Sequence, residues 1–381
     1  MTTILQKKTI TKKEEAVLFI AFELSNSKWK LCFSNGEKRR QKTIDARDLL
    51  QLSLEIAKAK EKFGYETCRI ISCYEAGRDG FWLHRYLIKN DIENVVIDSS
   101  SIEVDRRARR AKTDRIDADS LVRLLERYGR GEKAFSVVNV PSAEEEDQRR
   151  LHRERERLIK ERTSHSNRIS SLLILHGIKV EVGKADFLKQ LESVKTGDGS
   201  ILGEGIKEEL RRQYERYSLI SIQIKGLEDQ QKEMIKSVKK ETTTSESLKK
   251  IVQLMELKGV GPISSWVLVM ECLGWRKYKN RRELAASVGL TPTPYTSGDS
   301  HKEQGISKAG SRRIRSLLVE LSWLWLRNQP DSKLSLWFNE RFGGGGKRMR
   351  RIGIVAMARR LFIDLWRFLE HGLIPEGAIL K

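Results

Sequence analysis

Residues 16–24, Ala-Val-Leu-Phe-Ile-Ala-Phe-Glu-Leu, form a nearly unbroken apolar run with one acid, Glu23, close to its end. A run this short and this apolar is a strand covered on both faces, so helices must pack on both sides of its sheet. The segments that follow keep to that plan. Residues 29–33 and 42–46 read as shorter strands, with Ser34-Asn35-Gly36 as turn chemistry between them. Asp48 caps a helix through Leu49, Leu50, Leu52, Ile56 and Ala57, and residues 68–74 give another buried strand that runs into a second acid, Glu75. A helix over 81–88, a strand over 94–98 and a helix over 114–128, with Ile116, Leu121, Leu124 and Leu125 inward, complete the region. Three strands followed by alternating helix and strand specify an α/β domain with a mixed sheet.

The acids of this domain fall into a pattern. Glu23 and Glu75 each end a strand, and Asp114 and Asp117 lie three residues apart, on one face of the closing helix. Taken alone, residues 112–119 read as a solvated, salt-laced helix start, and an acid ending a strand simply meets solvent. Asp119 points away from the pair. In open α/β sheets, however, sites gather outside the carboxyl ends of strands, where four acids from three segments can converge. The chain carries 73 Lys and Arg against 52 Asp and Glu, a formal net charge of +21. Converging carboxylates still need a cation, and Mg2+, a hard ion that takes oxygen ligands, suits a site that must also admit phosphate oxygens. Two such ions about 3.5–4 Å apart stabilise the attacking and leaving oxygens of a phosphodiester displacement. The excess positive charge itself favours nucleic acid as partner. No apolar run has the length of a membrane span and the N-terminus lacks the apolar core of a secretion signal, so the expected location is the cytoplasm, with no membrane partner. Four scattered cysteines fit free thiols, with no zinc-site spacing.

Beyond Pro141-Ser142 the pattern changes. A charged helix is expected over 143–176, opened by a Ser142/Glu145 capping box, with Leu151 and Leu158 one heptad apart. A second helix over 208–238 carries Leu210, Tyr217 and Ile224 on one heptad position and Ile220, Leu227 and Met234 on another. An antiparallel coiled coil follows, used for self-association or for nucleic acid, with residues 182–205 as an irregular insertion. Residues 257–262, Leu-Lys-Gly-Val-Gly-Pro, read as a helix-hairpin-helix turn in which Lys258, Gly259 and Gly261 approach a phosphate and the next helix offers free amides; a purely structural glycine turn is the alternative. Residues 289–300 hold Ser297 in a loop stiffened by two prolines, although Ser-Gly alone is ordinary turn material. Lys308 precedes a helix with Arg312, Arg313 and Arg315 in its first turns, Ser307 as its N-cap and Leu317, Leu318, Leu321 and Trp325 as core. Four glycines, 343–346, followed by Lys347, Arg348 and two further arginines read as a flexible basic loop before a last amphipathic helix over 352–369. Arg106, Arg107, Arg109 and Arg110, just before the Asp pair, suit contact with a nucleic-acid backbone, the alternative being a solvated loop.

Two motif sets now stand in order. Glu23-Leu-Ser, Tyr74-Glu75-Ala-Gly and Lys112-Thr-Asp-Arg-Ile-Asp-Ala resemble the N-terminal domain of the IS-one-ten-type insertion-sequence transposases, bridge-RNA-guided DNA recombinases. Leu-Thr-Pro-x-x-Tyr-x-Ser297-Gly, followed by Gly305-Ile-Ser-Lys-x-Gly310, is similar to the signature of the same family's C-terminal domain. The resemblance implies a RuvC-like (RNase H-like) α/β domain over 16–142 after a leader over 1–15, a coiled-coil arm over 143–240, and a mainly α serine transposase domain over 241–381. It implies an acidic tetrad of Glu23, Glu75, Asp114 and Asp117 holding Mg2+, and Ser297 as nucleophile, with Ser300 and Ser307 as near alternatives. The family's tetrad usually begins with Asp, and Glu23 departs from that by one methylene. Implied partners are donor and target double-stranded DNA, a structured non-coding bridge RNA and further copies of the chain in a dimer or tetramer, at the nucleoid of a prokaryote. A hydrolytic RuvC-like junction nuclease would use the four acids without Ser297, and a non-catalytic nucleic-acid-binding protein only the basic surfaces.

Overall fold

The computed structural model describes residues 16–77, 79–102, 114–184, 186–239, 245–297 and 300–381. The chain divides into two compact units, Met1–Val140 and Pro141–Lys381. The first is built on a five-stranded sheet of β1 (Val17–Leu24), β2 (Lys28–Ser34), β3 (Arg39–Asp45), β4 (Arg69–Glu75) and β5 (Glu93–Ile97), in the order β3-β2-β1-β4-β5. β1–β2 and β2–β3 are antiparallel, β1–β4 and β4–β5 parallel, so the mixed sheet expected from the sequence is present and is compatible with a RuvC-like domain. Helices α1 (Leu49–Phe63) and α2 (Trp82–Lys89) cover one face and α3 (Asp114–Gly129) the other. Asp48 caps α1, its side chain accepting from the Gln51 amide at 2.9 Å.

Strand alternation divides β1 between the two cores. Leu18, Ile20 and Phe22 join the α1/α2 side; Phe19 and Ala21 join the α3 side, as do Ile71 and Cys73 of β4. This is why the run in β1 is continuous: both faces are buried, and each residue has a helix to meet.

The second unit opens with α4 (Ala143–Asp147), headed by the expected capping box: Ser142 accepts from the Glu145 amide, and the Glu145 carboxylate accepts from the Ser142 amide. The long helix expected over 143–176 is interrupted; α5 (Arg150–Leu175) starts after Gln148 and Arg149. Arg149 is buried at the break, its guanidinium 4.4 Å from the Trp275 ring. The segment expected to be irregular, 182–205, contains α6 (Phe187–Ser193) and its own core. Phe187, Leu191 and Leu202 pack with Ile169 and Leu173 of α5 and Leu210 of α7 (Glu204–Lys239). α5 and α7 pair antiparallel: Arg155 bonds Glu228, His165 bonds Gln213 and Arg168 bonds Glu209, partners descending along α7 as α5 ascends. Leu158, Ile220 and Ile224 form the apolar contact between them.

The rest of the unit is one core around α8 (Glu246–Met255), α9 (Pro262–Leu268), α10 (Arg281–Ser287), α11 (Arg312–Asn328), α12 (Lys333–Phe338) and α13 (Lys347–His371). α9 continues as a π-helical turn over Val269–Leu273. A two-stranded antiparallel hairpin, β6 (Pro292–Ser297) and β7 (Ser300–Ile306), stands where a loop was expected. The basic segment after the glycines is also not a loop: α13 begins at Lys347 with Gly346 as N-cap, so Lys347, Arg348 and Arg351 lie on helix. Gly353 permits this, since a Cβ there would fall 2.5 Å from the Phe342 ring. Among the described residues no helix is long and apolar enough to cross a membrane.

Candidate active site

The acids are set by register. Phe22 of β1 pairs with Tyr74 of β4 in a parallel ladder, which leaves Glu23 and Glu75 as the next residues on adjacent strands. By alternation both belong to the α3 face, the side of Ala21 and Cys73. α3 runs back along the strands, for the Cys73 thiol approaches the Leu121 carbonyl at 3.9 Å while Gly129 sits against the Phe19 ring. Four helical residues before Leu121 cover ~6 Å and two strand residues beyond Cys73 cover about 6.6 Å. Asp117 is therefore level with Glu75 and Glu23, and Asp114, the first residue of α3, lies one turn further out. Glu23, Glu75 and Asp117 are each half-buried, and Lys30 of β2 is paired with Glu23 in the sheet. Asp119 is engaged elsewhere, with Arg39 at 3.2 Å and Arg123 at 2.7 Å. Arg39 also forks onto the buried Glu126, which accepts from Ser34 at 2.6 Å.

Among the described residues no three His, Cys, Asp or Glu side chains stand close enough to hold one ion; the Asp114 side chain lies outside the described set. The donor chemistry of the four acids is all hard oxygen. Cys73, on the same face, adds no thiolate: burial, reinforced by the charge of Glu75, pushes its pKa well above the ordinary thiol value. Such a set fits magnesium rather than zinc. Arg106, Arg107, Arg109 and Arg110 lie outside the described residues.

In the second unit, Ser297 is the last residue of β6, opposite Ser300 at the end of the ladder, with its side chain outside the described set. The foot of this hairpin is clamped. Gly289 (φ 68°) and Gly310 (φ 80°) cross the neighbouring backbone so closely that a Cβ on either would sit 2.1 Å from a carbonyl oxygen, that of Ala309 or of Ser287. The Lys308 amide donates to the Gly289 carbonyl and the Ser311 amide to that of Ser287, both at 3.1 Å. Ser311 caps α11 in place of Ser307, its side chain accepting from the Ile314 amide at 3.4 Å, while the Ser307 amide donates to the Thr291 carbonyl at 2.9 Å. Gly305, at φ 88°, lies where the ladder slips by one residue, a bulge that twists the hairpin.

The glycine turn over 257–262 joins α8 to α9, with Gly259 at φ 91° and Gly261 as N-cap before Pro262. The amide of Lys258 is already used, donating to Ile379 at 3.0 Å, and the Lys258 carbonyl accepts from Gln329 at 2.8 Å. The open donors are those heading α9. Arg312 and Arg315 start α11; Arg315 donates to the Val288 carbonyl and Arg313 bonds Glu156 and Glu271.

Sequence reasoning missed Glu271. It is a lone acid in the apolar stretch 267–273, and that isolation is the signal that it needs buried partners. It sits on the π-helical turn and collects His152 Nε2 at 2.7 Å, Arg153 at 2.7 and 2.8 Å and Arg313 at 3.0 Å. Burial acts to raise its pKa, but the hydrogen bonds from Arg153 and His152 and their charges outweigh it and hold the carboxyl far below the usual range.

Comparison with known proteins agrees across both units. Residues 252–335 match the model described as "Transposase IS116/IS110/IS902 family", and residues 25–177 match one described as "Transposase". The second match includes Glu75, Asp114 and Asp117 but begins after Glu23. A putative transposase, y4rJ, of Sinorhizobium fredii is 40% identical over 375 residues, 96% of this chain and 94% of that one. The transposase for insertion sequence element IS1328 of Yersinia enterocolitica is 24% identical over 265 residues, 69% of this chain and 73% of its own. That for IS1111A of Coxiella burnetii is 26% identical over 263 residues, 68% and 67% of the two chains. The class these matches define is a transposase. The chain belongs to the IS116/IS110/IS902 transposase family.

Proposed function

We propose that the protein cuts and rejoins DNA for an insertion sequence through a serine-linked intermediate, with Glu23, Glu75, Asp114 and Asp117 as a magnesium-binding tetrad. The observation that carries this reading is the β1/β4 register, which sets Glu23 and Glu75 side by side on the face where α3 brings Asp117 level with them. Magnesium, when bound, supplies positive charge to phosphate oxygens. The protein's own part is the displacement. The Ser297 hydroxyl loses its proton and forms an ester bond to phosphorus; the bond from phosphorus to one DNA oxygen breaks, and that oxygen leaves as a hydroxyl after taking a proton. A hydroxyl of a second strand reverses the step and frees Ser297, so rejoining needs no nucleotide hydrolysis.

The charge of +21 supports contact with both DNA and a bridge RNA that selects the sites. Lys258, Lys308, Arg312, Arg315, Lys347 and Arg348 serve the nucleic-acid backbone. The α5–α7 pair supports self-association into a dimer or tetramer, as a coiled-coil arm separating a RuvC-like domain from a serine domain. Leu219 and Ile222, one turn apart on α7 and 58% and 69% exposed, offer an apolar contact for a second copy.

The test is a denaturing gel of DNA incubated with the protein, magnesium and the non-coding RNA flanking its gene. DNA that migrates attached to protein, and loses that attachment in Ser297→Ala, supports the serine route. Free ends produced equally by the variant would overturn it in favour of hydrolysis by the acids alone.

A further inference from the structure

The second unit contains an open groove of about 1380 Å³ walled by α10, the foot of the β6–β7 hairpin and α13. Lys308 and Arg348 line it, and so do cations with no role above: Arg281, Arg282, Arg351 and Arg359. These four make no ion pair among the described residues, whereas the groove's two acids are taken, Glu376 by Lys333 at 2.6 Å and Asp364 by Arg367 at 3.9 Å. Uncompensated positive charge gathered in one groove calls for a polyanion.

The floor narrows the choice. Ile352, Leu373 and Ile374 line the groove and are each half exposed, and Trp337 adds a ring that Arg360 covers at 3.8 Å. A duplex presents phosphate and sugar outward and gives an apolar floor nothing to bury. An unpaired strand can lay bases on apolar and aromatic groups while its phosphates meet arginines. Telling RNA from DNA requires a reader of the 2′-hydroxyl. Of the neutral polar side chains on the lining, Ser332 is spent on Trp325 and Gln329, which leaves only the exposed Gln304; one exposed amide builds no preference for RNA, and DNA is the strand a transposase must hold.

We propose that this groove seats a single-stranded stretch of DNA, bases on the Ile352, Leu373 and Ile374 floor and phosphates on Arg281, Arg351 and Arg359. From the foot at Pro292 to Ser297 is five strand residues, ~17 Å, so a strand leaving the groove passes within reach of the hairpin tip. That placement deepens the strand-transfer reading and rests on it; the binding itself does not.

The experiment is fluorescence anisotropy on the full-length chain with labelled oligothymidine, the matching oligouridine and a duplex, without magnesium so that nothing is cut. Arg351→Ala with Arg359→Ala should weaken oligothymidine binding at least tenfold. It should also flatten the log–log salt dependence by about 1.4, roughly 0.7 per lost phosphate contact, and change duplex binding less than twofold. Ile352→Asp, at an exposed position, should weaken oligothymidine binding through the floor. Arg216→Ala with Lys225→Ala, exposed on α7, is the control. Equal losses on duplex and single strand, or no loss, overturn the proposal, and so does tighter binding of oligouridine. Groove variants that still form protein-linked DNA but no longer hold oligothymidine support the groove. A protein that holds oligothymidine yet never links to DNA removes the serine route and leaves the groove standing.

Discussion

At the scale of single residues, the strongest constraints are a charge and a pair of glycines. Glu271 holds four donors from His152, Arg153 and Arg313 inside the second unit. Glu271→Ala leaves the Arg153 guanidinium without the carboxylate it forks onto, while Arg313 keeps Glu156, and should cost about 3–5 kcal/mol, read as a drop in the urea midpoint. Its folded pKa lies below its ordinary value of 4.5, so its contribution is complete above that value and fades as pH falls through the range beneath it. Wild-type stability should therefore decline more steeply below pH 4.5 than that of Glu271→Gln; parallel curves would refute the assignment. Gly310→Ala meets both a positive φ, worth about 1–3 kcal/mol, and a backbone carbonyl, so a melting temperature within a degree or so of wild type would contradict the close crossing with Ser287. Residues of this kind were only partly legible. Gly310 stood in a recognisable motif, but its reason, the Ser287 carbonyl across the gap, is a long-range contact that no local pattern encodes. Glu271 was visible as an anomaly and unreadable as a cluster, because its partners lie 42 and 118 residues away.

Among the elements, those whose period matched their burial were readable. β1 announces itself because both faces are covered, and α11 because Leu318, Leu321 and Trp325 recur at helical spacing onto one core. Mistakes arose where tertiary partners overrode local chemistry. Glycines and prolines around Ser297 suggested a loop, yet the chain pairs with itself as β6–β7, with Pro292 and Pro294 on a ribbon only two strands wide, where edges tolerate proline. Residues 182–205 looked irregular because they lack period, but Phe187, Leu191 and Leu202 are buried by α5 and α7 rather than by one another's spacing. Phe187→Ala should cost about 3–5 kcal/mol of local stability. Hydrogen exchange should accelerate over 178–214 and remain unchanged in β1 and β4; uniform acceleration would mean that the tip is not a separate core.

For the whole molecule, the α/β unit ends at Val140 and the helical unit begins at Pro141, where the sequence changes from alternating strand and helix to charged helical stretches. Asp117→Asn should abolish protein-linked DNA while leaving nucleic-acid binding within a few fold, which a gel and an anisotropy titration on the same preparation separate. With the formal charge of +21, affinity for nucleic acid should fall about 10³–10⁵-fold between roughly 50 and 200 mM salt if six to ten phosphates are contacted. A flat response would show that the charge is not spent on the backbone.

The glycine crossing at the foot of the β6–β7 hairpin makes the hairpin a cantilever. Its root is fixed by the Gly289 and Gly310 contacts and Ser297 rides at its free end, ~17 Å away. A tilt of about 5° at the root displaces that end by roughly 1.5 Å, and a misplacement of about 1 Å can slow a reaction on the order of a hundredfold. On the serine reading, the aim of the nucleophile is decided at two glycines at the far end of the hairpin from it.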